Sequence, residues 1–546
     1  MPNALQKLLQ RLQELNEVGV ALSRERDIEQ LLERILDAAQ MLTHADAGTL
    51  YRVTGDGQAL RFALVRTHSL GLHQGGSSER EVDFPDLPLQ LPDGRPNDSL
   101  VAVHAAVHDR TVSIVDAYDS VDFDFAGARA FDQSTGYRSR SFLTVPLRNH
   151  DHELVGVLQL INATDPVTGA VQAFSREDCR LVESLSSQAA IALNNRLLIT
   201  QYERLFESFV NLINVAIDEK SPYTGGHCER VPALTMMLAE ASHATTEGPL
   251  AAFAMTERDR YELKMAGLLH DCGKITTPVH VVDKATKLQT IHDRIELVDT
   301  RFEVLKRDAE IAMLHQQLAQ RPQVDAAADA QLEAQLQGRQ RQLNEERDFL
   351  RRCNLGSEAM HPDDQARVRA MATTHQWRDP QGRLADCLSD DEVENLSIRS
   401  GTLTRAERGI INHHIVATNK MLESLPWPSH LRNVPEYAGG HHERMDGKGY
   451  PRGLRRDQLS WQARMLGLAD VFEALTAADR PYKQPMVLSQ ALAVMRRMTE
   501  GGHIDPDLFD VFMRERVYLR YARQFLAPEQ IDLQDLPDLQ APVKAS

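Results

Sequence analysis

Leu5, Leu8, Leu9, Leu12 and Leu15 recur at three- and four-residue spacing, and Ile28, Leu31, Leu32, Ile35 and Leu36 resume the pattern after Ser23-Arg24-Glu25. Residues 2–40 are therefore predicted as helix. From Ala47 the period changes. Gly48–Val53 alternates as a strand, Thr54-Gly55-Asp56-Gly57 makes a turn, and Leu60–Val65 is the partner strand. Thr111–Val115, Ser141–Leu147 and Leu154–Ile161 read as further strands. Helices flanking a central antiparallel sheet predict an N-terminal α+β domain.

The helical period returns at Ser175, where Leu181, Leu185, Ala189, Ala192, Leu193 and Leu197 form a narrow stripe that Leu205, Phe209, Leu212 and Val215 continue. No Pro or Gly interrupts residues 175–221. A narrow stripe on an otherwise polar rod predicts a parallel coiled-coil linker and hence a homodimer. Beyond it, Ile291–Leu318 and Ala326–Leu350 are rich in Ala, Gln, Glu, Leu and Arg, with Arg321-Pro322 as a break, which predicts a helical hairpin. Its charged faces suit solvent, or else a protein partner. Gly382–Gly401 reads as polar connector, and Leu508–Leu526 as a helix with Tyr518, Tyr521 and Phe525 on one side, packed in the core.

A chain of 546 residues is too long for one core. Its formal charge of −17 argues against a binder of nucleic-acid polymers or of a membrane surface. Five cysteines, Cys179, Cys228, Cys272, Cys353 and Cys387, lack CxxC spacing, so a reducing cytoplasm is expected and neither a disulfide framework nor a zinc ribbon is implied. No charged-then-apolar leader and no long apolar run is seen, so export and membrane spanning are not expected.

The candidate chemistry lies in the second half. His441-His442-Glu443-Arg444-Met445-Asp446-Gly447-Lys448-Gly449-Tyr450-Pro451 places two adjacent imidazoles before a turn that no helix or strand interior tolerates. Leu268-Leu269-His270-Asp271-Cys272-Gly273-Lys274 lies upstream, and Ala469-Asp470 and Asp479-Arg480-Pro481-Tyr482-Lys483 lie downstream. A lone histidine is more often a surface or structural group than a ligand. Imidazoles paired with carboxylates, without thiolates, suit divalent ions such as iron or manganese.

These motifs resemble the HD-GYP domain, a bacterial family of metal-dependent phosphodiesterases acting on cyclic di-GMP. The family's ligand order of H, HD, H, HH and D carries over onto His227, His270, Asp271, His414, His441, His442 and Asp470. For the middle histidine, His413 and His414 both stand in place, and spacing from Glu407 and Leu422 favours His414. The resemblance implies two metal ions, one held by His227, His270, Asp271 and Asp470 and the other by Asp271, His414, His441 and His442. Where some members carry a third-metal glutamate this chain has Tyr223, so two ions are expected. It also implies that Lys274, Arg480 and Lys483 meet substrate phosphate and that Tyr450 lies near a guanine or phosphate. Asp470 to Arg480 is one residue longer than the usual spacing. Asp446 is either structural to the turn or behind His442, and His280 and His292 fall outside the pattern as surface groups. The expected C-terminal fold is an all-α HD domain interrupted by the hairpin, and the expected reaction is hydrolysis of cyclic di-GMP to pGpG or GMP. A related hydrolase for another cyclic dinucleotide or nucleotide, or a silent binding scaffold, are the alternatives.

Phe142–Asn149, Leu154–Asn162 and Ala173–Asn195 resemble a GAF domain, a small-molecule sensor and dimerisation module. The Asn-Lys and Phe-x-x-x-Asp-Glu signature of its cyclic-nucleotide binders is incomplete here: Asn162 is followed by Ala163, and Asp178 by Cys179. The expected organisation is an N-terminal helix at residues 1–19, a GAF-like sensor at 20–198 with an unknown small-molecule ligand or none, a helical linker at 175–220, and an HD-GYP domain at 205–535 with an insertion at 287–400.

Overall fold

In a computed structural model, residues 2–25, 27–78, 80–221, 226–320, 326–356, 359–479 and 485–533 are described. They fall into two compact units, residues 1–206 and 207–546.

The first unit opens with α1 (Pro2–Arg24) and α2 (Ile28–Thr43), separated where Asp27 accepts a hydrogen bond from the Gln30 N–H and caps α2. The strands β1 (Ala45–Val53), β2 (Ala59–Thr67), β3 (Leu72–Gly75) and β4 (Leu87–Pro88) follow. Next come α3 (Val101–His108), β5 (Val112–Ile114), α4 (Ala126–Thr135), β6 (Phe142–Arg148), β7 (Leu154–Thr164), β8 (Val171–Gln172) and α5 (Arg176–Lys220), whose residues from 207 on belong to the second unit. The sheet runs β3-β2-β1-β7-β6-β5, antiparallel throughout, with β4 beside β2 and β8 beside β7. The strands read from the sequence are all present. The helices α3 and α4 were not foreseen. Val101-Ala102-Val103-His104-Ala105-Ala106-Val107-His108 is apolar on nearly every face and shows no helical period.

One core joins Leu22, Leu31, Ile35 and Leu36 of the first two helices to Leu158 and Leu160 of the sheet and Leu185 and Leu193 of α5. Near α3 and α4 the sheet borders a mostly apolar cavity of about 320 Å³, lined among others by Thr49, Phe62, Val101, Phe131, Tyr137 and Gln159. The 45 residues of α5 rise about 67 Å at 1.5 Å each. Along this helix Leu198, Tyr202, Leu205, Phe209 and Leu212 are exposed at alternating spacings of four and three.

In the second unit come α6 (His227–Ala244), α7 (Glu257–Leu269), α8 (Val279–Val282), α9 (Ile295–Gln320) and α10 (Ala326–Asn354). They are followed by α11 (Pro362–Thr374), β9 (Gln376–Arg378), β10 (Leu384–Asp386), α12 (Asp390–Leu396), α13 (Arg405–Glu423) and α14 (Val434–Gly439). The unit ends with α15 (Trp461–Thr476), α16 (Leu488–Glu500), α17 (Pro506–Arg514) and α18 (Val517–Phe525). Two expectations are corrected here. Gly382–Gly401 is more than a connector, because β10 pairs with β9 and Ser389 and Glu392 close a capping box at the start of α12. The tail is two helices, broken where Arg516 takes the left-handed conformation (φ 53°).

The hairpin helices α9 and α10 pack on α11 and α12 through Val298, Phe302, Leu343, Leu350, Val368 and Leu396, a core of their own. Tyr518 and Tyr521 are buried as expected. Lys284, fully buried, donates to Asn395 Oδ1 and to both carboxylate oxygens of Glu407, each at 2.8 Å. Glu407 also closes the capping box with Thr404 that begins α13. No helix among the described residues is long and apolar enough to cross a membrane.

Candidate metal centre

Three helices and two turns bring the predicted ligands together. His227 is the first residue of α6, entered through Gly226 at φ 83°. His270 and Asp271 follow the end of α7, whose start is set by the Thr256–Asp259 capping box. The chain then turns tightly through Cys272–Thr276 and lies against α13: the Gly273 N–H donates to Thr418 Oγ1 at 3.0 Å, and a Cβ on Gly273 would stand 2.0 Å from the His414 carbonyl oxygen. His414 projects from the middle of α13, His441 and His442 follow α14, and Asp470 lies on α15. His413 is exposed, as are His280 and His292.

The donor atoms form two groups, His227 with His270 and Asp271, and His414 with His441 and His442. Asp271 faces both. Its Oδ2 lies 3.0 Å from His227 Nε2 and 3.2 Å from His270 Nε2, while its Oδ1 lies 3.2 Å from His414 Nε2. Asp470 Oδ1 is 3.4 Å from His227 Nε2. His442 Nε2 is 3.2 Å from His414 Nε2. His227, His270, Asp271, His414 and His441 are buried.

Hydrogen bonds behind the imidazoles settle which nitrogen faces inward. The Nδ1–H of His270 donates to Gly267 O (2.7 Å), that of His414 to Ile411 O (2.5 Å) and that of His441 to Ala438 O (2.6 Å). Each Nε2 is left with a lone pair. Burial and neighbouring His270 lower the His441 pKa to about 4, and burial with His441 and His414 holds His442 well below the ordinary histidine range. Burial opposes ionisation of Asp271, but Lys274, His270 and His227 outweigh it and keep the carboxylate well below its usual range. Neutral imidazoles at His441 and His442 beside a firmly ionised Asp271 are protonation states that a divalent ion requires.

The residues fit such ions. Asp271 Oδ1 and His441 Nε2 are buried and accept no hydrogen bond from a described residue. Asp271 Oδ1 and the His414 Nε2 lone pair, both acceptors, face each other at 3.2 Å. Neighbouring ligands of one ion, at about 2.1 Å each and a right angle, sit about 3.0 Å apart. His227 differs from the rest because carboxylate oxygens meet both its nitrogens, Asp271 Oδ2 at Nε2 and Glu473 Oε2 at Nδ1 (2.7 Å). Burial would lower its pKa, yet these two acids push it up to about 9.

Residues 27–193 match the family described as GAF domain, and residues 224–349 and 354–508 match families described as HD domain. The chain is 40% identical over 117 residues to the cyclic di-GMP phosphodiesterase PA4108 of Pseudomonas aeruginosa, covering 21% of this chain and 27% of that protein. It is 43% identical over 129 residues to the cyclic di-GMP phosphodiesterase response regulator RpfG of Xanthomonas campestris, covering 23% and 32%. Over 121 residues it is 38% identical to the 3'3'-cGAMP-specific phosphodiesterase 1 of Vibrio cholerae, covering 22% and 27%. The chain joins a GAF domain to an HD domain. It spans less than a third of the length of these curated relatives.

Within the HD domain, the turn after His442 is built by groups that sequence reading passed over. Buried Glu443 accepts from the Arg452 and Leu454 N–H groups (2.7 and 2.8 Å), and the Tyr450 N–H donates to His442 O. The Tyr450 ring therefore stacks on His442, with ring centres 4.8 Å apart. Gly447 takes φ 77° at this turn, and Asp446 accepts from the Lys448 N–H and from Arg444, which resolves Asp446 as structural. Lys274 Nζ pairs with Asp271 Oδ2 at 2.5 Å.

Glu473 was also missed. It lies fully buried one turn after Asp470 on α15, so both acids share a helix face, and it receives Arg230 as well as His227. Arg230 reaches on to Asp479. Burial opposes ionisation of Glu473, but His227 and Arg230 bring its pKa down to about 2. An acid three residues after a candidate ligand on one helix was the available signal. Tyr223, Arg480 and Lys483 lie outside the described residues.

Proposed function

We propose that this chain is a metal-dependent phosphodiesterase that hydrolyses cyclic di-GMP to pGpG or GMP under the control of its GAF domain. The observation carrying this reading is the placement of Asp271, one oxygen toward His227 and His270 and the other toward His414. A carboxylate so placed can be shared by two ions, one held with His227, His270 and Asp470, the other with His414, His441 and His442. Iron or manganese suits these imidazole and carboxylate donors, which include no thiolate.

Two ions bound there supply positive charge that favours ionisation of water at neutral pH and neutralises the phosphoryl oxygens. The chain's own groups do the rest. Carbonyl acceptors at Gly267, Ile411 and Ala438 hold three imidazoles with Nε2 inward. Lys274, poised at Asp271, turns its ammonium to a substrate phosphate, as do Arg480 and Lys483 in this reading. Tyr450, held over His442, gives a flat face for a guanine base.

The GAF-domain cavity, with its mostly apolar wall, is of a size for a small-molecule ligand. The exposed apolar residues of α5 at heptad spacing support a homodimer that joins two chains along that helix. The surface of α9 and α10 is available to a protein partner. All five cysteines are free, in keeping with a reducing cytoplasm.

Similarity to the 3'3'-cGAMP-specific phosphodiesterase 1 of Vibrio cholerae favours a second substrate within the same reaction. Incubation of the metal-loaded protein with cyclic di-GMP and 3'3'-cGAMP in parallel, followed by chromatography of the products, decides between them. Release of pGpG or GMP from cyclic di-GMP is the expected result; turnover of the hybrid dinucleotide alone would transfer the assignment to it.

A further inference from the structure

A second cluster of metal-ligating side chains lies in the GAF domain and takes no part in the chemistry above. His104 and His108 stand one turn apart on α3, so both imidazoles project from one face. Asp98, in the segment leading into the helix, meets them there: its Oδ1 is 2.7 Å from His108 Nε2 and 3.6 Å from His104 Nδ1. The three donor atoms lie within 4.8 Å of one another. Ligands of one ion at about 2.1 Å stand about 3.0 to 4.2 Å apart as the angle between them opens from a right angle to a straight line. Small side-chain rotations bring all three into that range.

His104 sets this cluster apart from a surface ion pair. Its Nδ1 is buried and has no hydrogen-bond partner among the described residues, although a carboxylate is nearby. The ring is held by neighbours, edge-on to Phe123 with centres 5.2 Å apart and tilted against His108 at 4.5 Å. An ion pair between Asp98 and His108 leaves that nitrogen unused, whereas an ion shared by all three employs it. His108 and Asp98 are exposed, so an arriving ion has access and keeps water at its remaining positions.

We propose that Asp98, His104 and His108 bind one late first-row divalent ion, of which zinc is representative, at a site separate from the HD-domain centre. Two imidazoles with one carboxylate discriminate against magnesium and calcium, which prefer all-oxygen surroundings. The site fastens the segment at Asp98 to α3, whose first turn supplies Val101 and Ala102 to the wall of the GAF-domain cavity. Zinc binding thereby stiffens one side of that cavity.

Full-length wild-type protein and the His108→Ala variant, dialysed against the same free zinc concentration, are compared for bound zinc per chain. Wild type is expected to hold one equivalent more, and equal contents would overturn the proposal. A measurement on the wild-type chain alone guards against misfolding of the variant: modification of His104 and His108 by diethylpyrocarbonate, read by peptide mass spectrometry with and without metal. Zinc protects both residues and magnesium neither; labelling that zinc leaves unchanged refutes the site.

Discussion

Glu473 Oε2 accepts a hydrogen bond from His227 Nδ1–H at 2.7 Å, and the same carboxylate is fixed on its other side by Arg230. This acid is fully buried. It aims the His227 ring and makes Nε2 a stronger donor. Glu473→Gln is expected to weaken metal binding by about 10- to 100-fold while leaving helix content intact. Metal titration of the apoprotein checks this, and unchanged affinity would show that Glu473 only packs α15 against α6.

Gly273 packs the histidine-aspartate turn closely against α13. A methyl group there would stand 2.0 Å from the His414 carbonyl oxygen and 2.6 Å from the Thr418 nitrogen, both backbone atoms. Gly273→Ala must therefore push Asp271 away from His414. The expected cost is about 1–3 kcal/mol of stability, with loss of turnover at temperatures where the variant is still folded. Denaturant unfolding and activity on the same preparation separate the two effects.

The pair of buried Lys284 and half-buried Glu407 predicts a pH dependence. Burial would raise the Glu407 pKa, but Lys284 and the Thr404 backbone outweigh it and hold it below the ordinary value of 4.5. With the folded pKa depressed, the carboxylate's contribution is complete above the unfolded-state value and disappears as pH falls through the lower folded one. Glu407→Gln leaves the Lys284 charge buried without its partner and should cost about 3 kcal/mol at neutral pH. The difference from wild type should shrink as acid protonates Glu407, measured by urea unfolding across that range.

On α5, Tyr202, Leu205, Phe209 and Leu212 are between 52% and 68% exposed although all are apolar or aromatic. If they form the seam between two chains, Leu205→Arg together with Leu212→Arg dissociates the dimer. Light scattering after size exclusion should show half the wild-type mass, and an unchanged mass would remove this helix from the interface.

The sequence made the large features legible where a single force dominates. Residues 176–220 form one helix because nothing in them breaks it, and the alternating strands of the first unit declare themselves by period. The candidate ligands were readable because His441-His442 and His270-Asp271 have no use in a core. What stayed hidden depended on tertiary context. Helix α3 lacks periodicity because its apolar residues face inward on several sides, and α12 sits in a polar stretch where only the Ser389–Glu392 box marks its start. Apart from its place three residues after Asp470, Glu473 looks in sequence like a surface acid of a helix. Its role exists only because Arg230 and His227, more than two hundred positions away, fold against it.

The shared carboxylate is the point on which the enzymatic reading turns, and counting metal ions per chain in wild type and Asp271→Ala, with cyclic di-GMP turnover assayed on the same samples, tests it most directly. Wild type should carry two equivalents of iron or manganese and release product, while the variant should lose metal from both positions and nearly all turnover. A variant that keeps two ions and hydrolyses substrate at the wild-type rate would contradict the account.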